Sequence, residues 1–131
     1  MRILFLTDNF PPETNAPATR TYEHARVWAE LGHDVTVITG ARNFPTGKIH
    51  HGYRNRPYTV EDAGGIRVVR IWTYIHPNIG MFRRTLDYLS FMFGDVAAAL
   101  IQKRPDVIVG TSPQFFTVIG ACVAGWLRRV P

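Results

Sequence analysis

Apolar and polar positions follow two rhythms along this chain. Arg2–Thr7 centres on the unbroken apolar run Ile3-Leu4-Phe5-Leu6, the pattern of a parallel strand covered on both faces. Asp8–Thr19 is crowded with Pro11, Pro12, Asn15 and Pro17 and reads as a loop. A helical rhythm then takes over at 20–31, with Tyr22, Ala25 and Ala29 on one stripe and Trp28 beside it. Gly32 supplies a stop, and Val35–Thr39 is a second strand. Strand, helix and strand in this order make a right-handed unit with a parallel strand pair.

The second half repeats the alternation less tidily. Residues 58–61, a turn at 62–65 and residues 66–72 predict a hairpin. Its last segment is the third strand, and Arg67 and Arg70 predict an edge position for it. A long helix is expected over 80–103, where Leu86, Leu89, Phe93, Val96 and Leu100 recur at helical spacing. Pro105 ends it. A fourth strand at 106–110 leads to a helix capped by Ser112, with Pro113 in its first turn and Arg128-Arg129 at its end. The expectation is an α/β fold, a parallel Rossmann-like sheet flanked by helices. The last helix lacks the strand that usually follows, so the sheet reads as cut short.

Length changes the picture only by setting a ceiling. A chain of 131 residues holds one domain and buries roughly two thirds of its unfolded surface. The stretch 107–127 carries no charge and is long enough to span a bilayer, but Thr111-Ser112-Pro113-Gln114 interrupts it with turn and helix-start residues. No targeting segment is expected, because the first apolar run lasts four residues. The single Cys122 excludes an internal disulfide and a cysteine-based zinc site, and a cytoplasmic location fits best. Cys122 itself is expected to be a small buried hydrophobe.

Charge narrows the partners. Fifteen Lys and Arg, all but Lys48 and Lys103 arginine, face ten Asp and Glu, for a net charge of +5. Anionic partners are therefore favoured: a phosphate-bearing ligand or an anionic membrane surface. Nucleic acid is not expected, because the arginines are scattered and no recognition motif accompanies them. Residues 41–60 hold Arg42, Lys48, Arg54 and Arg56 without one acidic residue, and Arg83-Arg84 lies near the start of the long helix. With the aromatic residues around them, these six cations are candidates for contact with an anionic acceptor or a membrane. Cations in a first helical turn oppose the helix dipole, so Arg83-Arg84 calls for a compensating anion or a later helix start.

Two loops are placed for ligand binding. In open parallel sheets, ligands sit beyond the carboxyl ends of the strands, near helix N-termini with free N–H groups. The loop after the first strand offers Asn9, Glu13, Asn15, Thr19 and Arg20 there, and the loop after the fourth offers Thr111, Ser112 and Gln114. Both face one crevice if the strand order is third, second, first, fourth. The first loop has no glycine, so it is neither a dinucleotide fingerprint nor a P-loop. No cofactor and no metal site are expected, since His50-His51 has no carboxylate or cysteine nearby.

In combination, several segments resemble the N-terminal domain of GT-B glycosyltransferases of family 4. They are Arg2–Thr7, Phe10-Pro11-Pro12-Glu13, Leu31–Thr39, Asn43–Lys48, Gly65–Val68, Arg84–Tyr88, Arg104–Val109 and Thr111–Gln114. Within that family the chain looks like bacterial enzymes of surface-polysaccharide and O-antigen assembly, including a fucosamine-transferase-like subgroup. The resemblance implies a two-domain retaining enzyme whose other half binds the nucleotide-sugar, while this half receives a lipid-linked saccharide at the inner face of the membrane. It also implies that the loop Asn9–Arg20 approaches the donor diphosphate and the acceptor, and that Thr111–Gln114 lines the cleft. Many members carry Gly-Gly in the first loop where Asn15-Ala16 stands here. On this resemblance residues 1–131 are one acceptor-side domain without its last strands and without the donor domain, inactive alone. The alternative is a non-catalytic module that binds a membrane or a partner, such as one subunit of a split glycosyltransferase. Self-association through the apolar C-terminal helix is expected with either.

Overall fold

The structure, a computed structural model, describes residues 1–7, 16–40, 58–71, 81–111 and 115–131. Eight elements follow one another: β1 (Arg2–Leu6), α1 (Ala16–Glu30), β2 (Asp34–Thr39), β3 (Tyr58–Asp62), β4 (Arg67–Ile71), α2 (Met81–Ile101), β5 (Val107–Gly110) and α3 (Phe115–Arg128). They form one five-stranded sheet in the order β3-β4-β2-β1-β5. All neighbours are parallel except the β3–β4 hairpin. This is the expected α/β sheet flanked by helices.

The chain's direction across the sheet explains the layers. From β1 it moves toward β2, and from β4 it crosses back over β2 and β1 to reach β5. Crossovers of one hand taken in opposite directions put their helices on opposite faces. Accordingly Phe5, Val35, Val37 and Val68 pack under α1 with Ala25, Tyr22 and Trp28. The alternate residues Leu4, Leu6, Ile38 and Val69 pack under α2 and α3 with Phe91, Ala98, Ala99, Ala121 and Ala124. Each strand residue thus chooses a face by the period of two.

Helix ends are closed by recognisable devices. After α1, the Gly32 N–H donates to Ala29 O (3.0 Å) and the His33 N–H to Trp28 O (3.1 Å). Gly32 takes φ +90°, which a residue without Cβ adopts freely. The stop is where the sequence puts it, but α1 begins at Ala16, four residues before the expected start at Arg20. Pro17 does not oppose this, because a first-turn residue has no intrahelical N–H bond to lose. α3 ends in the same bond pattern, with Arg129 N–H to Trp126 O (3.3 Å) and Val130 N–H to Gly125 O (2.9 Å).

Arg128 does more than complement its own helix. Its guanidinium donates to the carbonyls of Ala99, Leu100 and Gln102 at the end of α2. Those carbonyls lack intrahelical partners, so the contact satisfies orphan acceptors with a cation at a negative helix end.

Three expectations need correction. β4 is not an edge strand; it lies between β2 and β3, and β3 takes the edge. Arg70 tolerates that position because its Nε donates to Glu61 Oε1 (2.8 Å) on β3 and its Nη1 to Gly40 O (3.2 Å). Cys122 is exposed, on the outward side of α3 beside Val123 and Trp126. The stripe Leu86, Phe93, Leu100 of α2 also stands in solvent, while Phe91, Asp95, Ala98 and Ala99 are buried. Close approach to α3 decides this: a Cβ on Gly120 would lie 2.5 Å from Asp95 Oδ1, so only small neighbours fit there.

Candidate functional site

The reversal of chain direction falls between β1 and β5, which pair in register from Ile3 opposite Val107 to Leu6 opposite Gly110. At such a switch point the loops leaving the two strands diverge to opposite faces and open a crevice at the carboxyl ends. The strand order is the one under which the two candidate loops leave neighbouring strands. Their helices also begin there, so the amide ends of α1 and α3 lie at the carboxyl edge of the sheet. First-turn N–H groups have no partner within their own helix, and with the positive helix end they make this edge favourable for an anion.

The rim residues are held by the sheet itself. Thr7, fully buried, donates its amide to Ile38 O (3.0 Å), which extends the β1–β2 ladder by one bond. Thr111 donates both its amide (3.2 Å) and its Oγ1 (3.4 Å) to Leu6 O. Both anchors pin the starts of the loops after β1 and β5, while the loops themselves lie outside the described residues. Gly110 lets α3 sit close above β5, because a Cβ there would lie 2.6 Å from the Ala121 Cβ. No sequence motif singles out Gly110; the signal is a small residue ending a strand just before a helix.

Of the candidate binding residues, the structure describes Thr111 at the rim and Thr19 and Arg20 in the first two turns of α1. Thr19 and Arg20 are exposed. Asn9, Glu13, Asn15, Ser112 and Gln114 lie outside the described residues, as do Arg42, Lys48, Arg54 and Arg56 in the basic tract. The first turn of α2 contains Arg83 and Arg84, whose side chains are outside the description, and it contains no acidic residue. The helix therefore does not start late.

Arg70 is a further cation at the carboxyl edge, and periodicity alone misplaces it. It is buried at 7% exposure and spans from the hairpin to Gly40, where the basic tract begins. An alternating strand pattern shows Arg70 only as polar; its pairing with Glu61 across the hairpin follows from the register that sets Thr59 opposite Arg70. Among the described residues no group of three His, Cys, Asp or Glu could hold a metal ion. His24 stacks on Trp28 at 6.0 Å between ring centroids, a packing role on the α1 surface. No described helix is long and apolar enough to cross a membrane.

Comparison with known proteins fits this geometry. The glycosyl transferase 4-like domain family matches residues 15–131, starting where α1 starts. The putative colanic acid biosynthesis glycosyl transferase WcaI of Escherichia coli (strain K12) is 30% identical over 122 residues, covering 92% of this chain and 30% of that protein. The chain thus spans less than a third of the curated relative it matches. With its sheet, its switch point and most of its length in agreement, the chain belongs to the glycosyl transferase 4-like family.

Proposed function

We propose that this chain is the acceptor-side half of a glycosyltransferase that moves a sugar from a nucleotide-sugar to a lipid-linked saccharide during surface-polysaccharide synthesis. The observation that carries the reading is the joint placement of the family match and the β1/β5 switch point, with two helix amide ends at one crevice. In this reading the donor's diphosphate lies at those helix ends, which stabilise its charge by oriented N–H groups. The loop from Asn9 to Arg20 and the segment Thr111–Gln114 approach the diphosphate and the acceptor.

The nucleotide itself is bound mainly by a second domain, so this half is inactive alone. The Arg42–Arg56 tract and Arg83-Arg84 face the acceptor's phosphates or anionic lipid at the cytoplasmic side of the membrane. The surface-polysaccharide assignment, and within it the fucosamine-transferase-like subgroup, rests on sequence resemblance and on the named role of WcaI. A second reading, a non-catalytic subunit that completes itself by association, draws support from the outward Trp126 at 79% exposure on α3.

A backbone-amide NMR titration of the chain with a uridine-diphosphate sugar at millimolar concentration tests the first reading. Saturable shifts localised to Asn9–Arg20 and Thr111–Gln114, with the rim residues Thr7 and Gly110 beside them, are expected. Shifts absent from this rim would remove these residues from the diphosphate site.

A further inference from the structure

The sheet reaches further than the helix that covers it. Leu4, Thr36 and Arg67 stand side by side near the amino ends of β1, β2 and β4, two residues before the row Leu6, Ile38 and Val69 that packs under α2. The period of two puts both rows on the α2 face. The later row is apolar, whereas the earlier one brings a hydroxyl and a guanidinium, and α2 ends above it at Ile101. A cavity of about 340 Å³ opens there, between the strand ends and the residues Ile101, Gln102 and Lys103 that close the helix. That is a small ligand's space, at the lower end of the range of roughly 300–1,000 Å³.

The polar groups around this cavity are mostly donors. Arg2, Arg67 and Lys103 bring three cations from β1, β4 and the end of α2, Thr36 a hydroxyl and Gln102 a side-chain amide. Tyr58 Oη accepts from Gln102 Nε2 (2.9 Å) and from Arg67 Nη2 (3.5 Å), which ties two of these side chains to one anchor. The carboxylates nearby are engaged elsewhere or by Arg2. Asp34, the one that lines the cavity, faces Arg2 Nε at 3.8 Å. Asp106 accepts the Arg2 amide (2.7 Å), and Asp62, opposite Arg67 in the hairpin, accepts the Gly65 amide (2.9 Å). Among the described residues neither Arg67 nor Lys103 has an ion-pair partner. The carboxyl end of a helix disfavours an anion, but here the Ala99, Leu100 and Gln102 carbonyls are already held by Arg128.

We propose that this cavity binds the phosphate group of a small soluble molecule, at the edge of the sheet opposite the switch-point crevice. Three cations against one carboxylate leave the lining positive, and a phosphate offers the acceptors that two guanidinium groups, an ammonium and a hydroxyl call for. β1 runs five residues between the two edges, about 15 Å at the rise of a strand. A phosphate held here is therefore not the diphosphate of the crevice, and the inference rests on neither the donor nor the acceptor of the proposed function.

Titration of the 131-residue chain with inorganic phosphate at constant ionic strength, followed by backbone-amide NMR, tests it. Saturable shifts at Leu4, Thr36, Gln102 and Lys103 are expected. The double variant Arg67→Gln/Lys103→Gln should weaken binding by about tenfold or more, since charge-assisted bonds are lost at two points. Asp34→Asn removes the opposing carboxylate and should tighten it by about two- to fivefold, an effect that a merely structural role would not give. Arg26→Gln, the same loss of charge on the surface of α1, should change nothing. Thermal melting of each variant checks that the fold is kept, as all four side chains are exposed.

Shifts that grow linearly with phosphate and spread over the exposed arginines make the effect a general ion atmosphere and overturn the inference. Shifts at Thr7, Gly110 and Thr111 alone place the phosphate in the crevice and overturn it as well. So do an affinity that the double variant leaves unchanged and a weaker affinity in Asp34→Asn. Because the two edges carry different reporting amides, failure here leaves the nucleotide-sugar titration untouched.

Discussion

Helices α1 and α2 cover opposite faces of one sheet and are built inside out with respect to each other. α1 turns Ala25 and Thr21 inward and keeps Glu23, Arg26 and Glu30 outside, where Arg26 bonds both carboxylates at 2.7 and 2.8 Å. The hydrogen bond to Glu23, then the charges of Glu23 and Glu30, hold the Arg26 guanidinium above its ordinary pKa. α2 turns a carboxylate inward, Asp95, and leaves phenylalanines in solvent. The difference lies in what each helix packs against. Among the described residues α1 packs on the sheet only and can use a broad apolar stripe, whereas α2 also approaches α3, and where the two helices meet the close approach leaves room for small side chains and one aspartate.

The sharpest test of this contrast is a pair of residues two positions apart. Phe91→Ala removes a ring with no solvent exposure from the α2 core and should cost about 3–5 kcal/mol in denaturant unfolding. Phe93→Ala removes a ring at 69% exposure and should stay within about 0.5 kcal/mol. Equal losses at the two sites would erase the distinction between the faces of α2.

A smaller effect probes the α2–α3 approach. Gly120→Ala places a methyl 2.5 Å from Asp95 Oδ1, and the chain should lose about 1–3 kcal/mol as the helices separate. A double-mutant cycle with Asp95→Ala should show coupling between the two sites, because the clash goes with the carboxylate. Additive losses would mean that Gly120 faces something else.

The least effect belongs to α1. Arg26→Ala breaks two bonds at the surface, yet solvent already screens the pair, so the unfolding midpoint should not move measurably. A clear drop would show that α1 depends on its outer charges.

Much of the architecture is legible in the amino-acid sequence alone. The apolar run of β1, the Gly32 stop and the Pro105 break each have a local cause that a single sequence displays. Where the cause is not local, the sequence misleads. Periodicity locates the line Leu86–Phe93–Leu100 but not the side it faces, since that depends on the partner helix. Arg70 looks like a mark of an edge because its neutralising Glu61 sits nine residues earlier, across a turn. The start of α1 falls earlier than the sequence suggests because Pro17 reads as a breaker unless its place in the first turn is known. At the site, the rim is legible from the rule that loops follow strand ends, and Thr111 sits there. The hold of Thr111 on Leu6 O is not, because it joins residues 105 apart in sequence.

The grip of Arg128 on the end of α2 bears on how this half of the molecule opens. The last turn of a helix normally frays alone, with its amides exchanging quickly and independently of the rest. Here the acceptors of that turn are held by a side chain of α3, so the end of α2 cannot loosen without α3 letting go. The two helices over β5 and β2 therefore open as one cooperative unit, while α1, packed on the other face of the sheet, is free to open by itself.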